Sequence, residues 1–71
     1  MSLIEVFKTN VETTNDAIGL VNMLLRHFPG SRINFDLQDC DKILRVEGKD
    51  FSSDKIIVLL KENGFHCAIL E

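Results

Sequence analysis

The chain has 71 residues, with 45% hydrophobic and 27% charged side chains, a formal net charge of −3 and one proline. A chain this short buries only about 60% of its unfolded surface and has room for one core, so it is read as a single domain spanning residues 1–71. The scattered Lys and Arg and the acidic balance exclude the clustered basic surface that tracks nucleic-acid phosphates, and the composition is that of an ordered domain rather than a disordered tail.

Leu3 to Thr9 is rich in β-branched and aromatic residues and reads as a strand. Its inward face stays open at this point. One phase offers Leu3, Phe7 and Val11 together with Glu5, and the other offers Ile4 and Val6 followed by Lys8. From Ala17 to Phe28 the period lengthens: Ala17, Ile18, Leu20, Val21, Leu24, Leu25 and Phe28 share one arc at helical spacing, and Pro29-Gly30 stops the run. Ahead of that helix, Thr13-x-x-Asp16 fits a capping box. In that motif the hydroxyl accepts from a first-turn N–H while the carboxylate reaches back to the cap residue's own N–H.

Arg32 to Leu37 alternates, with Ile33, Phe35 and Leu37 on one face, and predicts a half-buried strand. After turn residues at 38–41, Ile43 to Glu47 predicts its hairpin partner, with Leu44 and Val46 inward. Ser52 or Ser53 caps a second helix whose stripe is Ile56, Leu59 and Leu60, widened by Ile57 and ended by Asn63-Gly64. Phe65 to Leu70 closes the order as a fourth strand. With right-handed crossovers, βαββαβ gives an α+β ferredoxin-like sandwich: a four-stranded antiparallel sheet with both helices on one face. The turns at 9–14, 38–42 and 63–65 then fall at one end of the sheet.

FKTNV at 7–11, FDLQDCDKILRVEG at 35–48 and GFHC at 64–67 resemble the heavy-metal-associated domain family, particularly its bacterial members. These are small ferredoxin-like copper and zinc carriers, found free or on transport ATPases. The resemblance implies a Cys-x-x-Cys pair at the start of the first helix, where two thiolates suit a soft cation such as Cu(I) and the helix N-terminus favours the charged sulfur. Matched through KTN, those positions are Thr13 and Asp16, and nothing from Thr9 to Ala17 is a soft ligand. The expectation is a helix cap in place of the family's metal pair, with no cofactor.

Other candidates follow from residue type. Cys40 in the hairpin turn, with Cys67 or His66 at the start of the last strand, is the alternative soft-metal set, expected to be kept apart by the sheet. With Cys67 inward, His66 points to the opposite side. Two cysteines are too few for a disulfide framework and are read as free thiols. Asp36, Asp39 and Asp41, with Glu12 and Asp16, gather acidic groups near the loop end, in a spacing unlike a calcium loop. His27 sits where a helix C-terminus favours an imidazolium. No nucleophile has a visible base and acid, and no glycine-rich phosphate loop occurs, so the expectation is a non-enzyme.

The absence of a long apolar run or a basic leader points to a cytoplasmic protein without a membrane segment. Ile43 and Val58 have no evident internal place and, with the open sheet edges, suggest a protein partner or a homodimer through a sheet edge or the loop end. The functional expectation is a small non-catalytic binding or interaction domain. The alternatives are a displaced soft-metal carrier and a small-molecule-sensing regulatory βαββαβ module that binds its ligand at a dimer interface.

Overall fold

The structure is a computed structural model that describes residues 2–71. Its elements run β1 (Leu3–Thr9), α1 (Thr14–His27), β2 (Arg32–Asp36), β3 (Ile43–Gly48), α2 (Ser53–Glu62) and β4 (Cys67–Ile69). The strands form one antiparallel sheet in the order β2-β3-β1-β4. Each helix therefore bridges two strands separated by a third, which is the ferredoxin-like fold expected from the sequence.

The register settles the face of β1. Phe7 lies opposite Leu44, which lies opposite Phe35, and Glu5 lies opposite Val46, which lies opposite Ile33. Cross-strand partners share a face, so the Phe7 phase is the one that meets the helices. Glu5 goes with it. Its half-buried carboxylate accepts a hydrogen bond from Ser53 Oγ at 3.1 Å, at the first residue of α2, where the helix dipole favours a negative charge. The acidic residue that made the sequence ambiguous thus has a partner on the helix face.

The core consists of Phe7, Val11, Leu44 and Val46 from the sheet side, Ala17, Leu20 and Leu24 from α1, and Ile56, Leu59 and Leu60 from α2. Ile18 departs from the stripe expected for α1 and is 55% exposed. The buried set Ala17, Leu20 and Leu24 centres the stripe so that Ile18, one step of 100° past Ala17, falls at its margin beside β2. Val58 is exposed as expected, and Ile43 is half-buried.

α2 ends in a complete Schellman turn: the Phe65 N–H donates to Leu60 O and the Gly64 N–H to Lys61 O, each at 3.0 Å. Gly64 takes φ +90°, the left-handed conformation this turn requires. β4 is shorter than the six-residue run expected, because the turn and the following bond from the His66 N–H occupy residues 63–66 before pairing with β1 begins at Cys67. No helix among the described residues is long and apolar enough to cross a membrane.

Candidate functional site

The end of the sheet that carries the loops is assembled by two polar residues of the KTN stretch. Thr9 closes β1 against the hairpin: its N–H donates to Asp41 O at 2.9 Å and its hydroxyl to Lys42 O at 2.6 Å. The same hydroxyl accepts from the Val11 N–H at 3.2 Å, which turns the chain toward the helix. Asn10 reaches the other way, its Oδ1 accepting the His66 N–H at 2.8 Å. KTN thus fastens the β1 loop to both neighbouring loops, a role that the sequence signalled only through the position of two short polar side chains at a strand end.

Thr13 is the N-cap of α1. It has extended backbone angles, φ −111° and ψ 148°, and its Oγ1 accepts the Asp16 N–H at 3.1 Å. Only this half of the capping box is formed: among the described residues, Asp16 does not return a bond to the Thr13 N–H. The Asp16 carboxylate is exposed in the first turn, where it interacts with the helix dipole. Such a cap stabilises by about 1 kcal/mol. The helix mouth therefore presents a hydroxyl engaged with the backbone and a solvated carboxylate, both hard oxygen donors.

Cys40, His66 and Cys67 line one groove of about 360 Å³ at this end, together with Thr9 and Asn10. The sheet does not keep them apart as expected, because the Thr9 and Asn10 hydrogen bonds draw the hairpin turn and the start of β4 onto the same strand end. Their ligand atoms nonetheless do not form a cluster. Among the described residues, the one group of three or more His, Cys, Asp or Glu ligand atoms within 4.8 Å of one another is Asp39, Cys40 and Asp41. Within it, Asp39 Oδ1 accepts the Asp41 N–H at 2.9 Å and Asp39 O accepts the Lys42 N–H at 3.0 Å, so the acidic turn is closed on its own backbone. Asp36 acts likewise, accepting the Gln38 N–H at 3.2 Å.

The two thiols differ in setting. Cys40 is exposed, whereas Cys67 is half-buried and packs against the core. Burial pushes the Cys67 thiol up to about 11, since the desolvated side of the strand disfavours a thiolate. His66, its sequence neighbour, is exposed. His27 is exposed at the end of α1, its ring tilted at 46° to Phe28 with centroids 6.3 Å apart. Glu12 is exposed in the loop before α1.

A second feature lies at the β2 edge of the sheet. Between α1 and β2 runs a groove of about 550 Å³ whose apolar lining includes Ile18 and Val21 from the helix and Ile33, Phe35 and Leu37 from the strand side. The sequence marked Ile18 as core, so the groove was not legible until the packing of α1 was known. No family model, curated protein or solved structure matches the chain.

Proposed function

We propose that this chain is a non-catalytic, cytoplasmic interaction domain on a heavy-metal-associated-like frame, in which the helix mouth serves as a structural cap rather than a metal site. The observation that carries the reading is Thr13: its hydroxyl is engaged with the Asp16 N–H at the position where the resemblance places the first sulfur. The stretch from Thr9 to Ala17 holds no Cys, His or Met. The residues that remain there tie loops together instead, through Thr9 and Asn10. Oxygen donors of this kind offer a soft cation such as Cu(I) little affinity.

A second reading, a soft-metal carrier using Cys40 with Cys67 or His66, draws support from the groove these residues share. Its Cys67 form requires a thiolate that burial opposes. Its His66 form leaves one exposed cysteine and one exposed histidine, with no third ligand atom of the set grouped with them among the described residues. The first reading is therefore preferred.

Titration with Cu(I) or Zn(II) under reducing conditions tests both. The wild-type chain is expected to show no tight one-to-one site, and Thr13→Cys/Asp16→Cys to gain one, because the N-cap and third helical positions are close in space. Submicromolar binding by wild type that survives Cys40→Ser and Cys67→Ser would overturn the first reading. Binding abolished by those two changes would favour the second.

A further inference from the structure

The two edges of the sheet are unequal. β4 is three residues long, whereas β2 presents five residues, Arg32-Ile33-Asn34-Phe35-Asp36, with β3 on one side and, among the described residues, no strand on the other. Natural edge strands are commonly blunted by proline, lysine, a bulge or a covering loop. β2 contains no proline or lysine and pairs with β3 in unbroken register from Arg32 to Asp36.

We infer that β2 is the seam of a two-fold homodimer, in which it pairs antiparallel with β2 of a second copy about Asn34. This deepens the interaction-domain reading and rests on it. The strand is self-complementary in charge: centred on Asn34, antiparallel pairing sets Arg32 opposite the second copy's aspartate at 36 and Asp36 opposite its arginine at 32. Both pairs lie on the helix-free face, where Arg32, Asn34 and Asp36 are exposed. On the helix face the same register sets Ile33 opposite Phe35 at both ends of the seam, and both side chains are only half-buried in the monomer.

The two-fold axis of such a pair stands perpendicular to the sheet, so the α1 helices of the two copies flank the seam on one face. That covers the groove beside β2 and Ile18, at 55% the most exposed of the large hydrophobic side chains in the described chain. An isologous interface needs one patch that complements itself, and a strand with opposite charges placed symmetrically about its centre meets that requirement. A strand from an unrelated partner would gain the backbone bonds but has no reason to match this charge order. Inside the monomer Arg32 already sits opposite Glu47, so in the dimer its guanidinium would lie between two carboxylates.

Sedimentation equilibrium on the full chain tests the seam by charge complementation. Arg32→Asp makes the strand wholly acidic and Asp36→Arg makes it wholly basic, so each variant alone meets like charge at both ends. Each is expected to self-associate roughly tenfold or more weakly than wild type. An equimolar mixture restores two opposite-charge pairs per seam and is expected to recover association. Amide hydrogen exchange should place the recovered protection at residues 32–36. Circular dichroism of each variant checks folding, and loss of fold cannot mimic recovery on mixing. A wild-type chain that stays monomeric at hundreds of micromolar, variants that dimerise as wild type does, or a mixture that fails to recover overturns the seam. None of these results depends on the metal titration, so failure of the seam and failure of the capped-mouth reading are separable.

Discussion

Cys67 offers the most direct check on how this end of the molecule is built, because its packing sets its chemistry. Thiol alkylation proceeds through the thiolate, and burial moves this group from 9.0 to about 11. At pH 8 that leaves roughly a hundredfold less thiolate than an ordinary cysteine holds. The less acidic thiol gives a better nucleophile, by a factor of about 6 to 10 for a Brønsted coefficient near 0.4–0.5, so the net slowing is roughly tenfold before steric access is counted. Native chain treated with iodoacetamide and followed by mass spectrometry should therefore show Cys67 lagging a denatured-chain control at least that far, with the lag vanishing in denaturant.

The same burial gives a pH dependence with a definite sign. A folded-state value above the unfolded one contributes stability that is fully present below pH 9 and is lost as pH rises through about 11, so the denaturation midpoint should fall across that window. Cys67→Ala should flatten the fall over that range. Native Cys67 that alkylates as fast as the denatured chain, or a midpoint insensitive to Cys67→Ala between pH 9 and 11, would refute the packing of β4 against the core.

Two further outcomes follow from the core and the turn that ends α2. Gly64→Ala forces a side chain into φ +90° and should cost about 1 kcal/mol, seen as a drop of roughly 4–8 °C in thermal midpoint for a domain of this size. Leu44→Ala removes a fully buried side chain from between Phe7 and Phe35 and should cost about 2–5 kcal/mol. That is a large share of the roughly 4–10 kcal/mol available to a chain this long, so chemical denaturation should show a severely weakened or unfolded variant.

The residues that were legible in the sequence are those whose role is local. The helical spacing of Leu20 and Leu24, the alternation of Ile33 and Phe35, the Thr13 cap and the Gly64 stop each depend on neighbours within a turn or two, and each stands where expected. The candidate sites were less legible because they are made across the sheet. Thr9 and Asn10 bond to residues 33 and 56 positions away, and their effect was to bring Cys40, His66 and Cys67 to one groove.

Sequence alone determined the order of elements and the chemistry available at the first helix mouth, since periodicity and residue type are carried by the chain itself. Tertiary structure decided which face of β1 turns inward, because the register with β3 sets Phe7 opposite Leu44, while Glu5 stays half-exposed and finds a hydrogen-bond partner in Ser53, 48 residues away. It also decided that, within the single chain, Ile18 lies outside the core and β2 forms an edge of the sheet. Helix rotation and strand neighbours are set by packing between distant segments, and no local pattern records them.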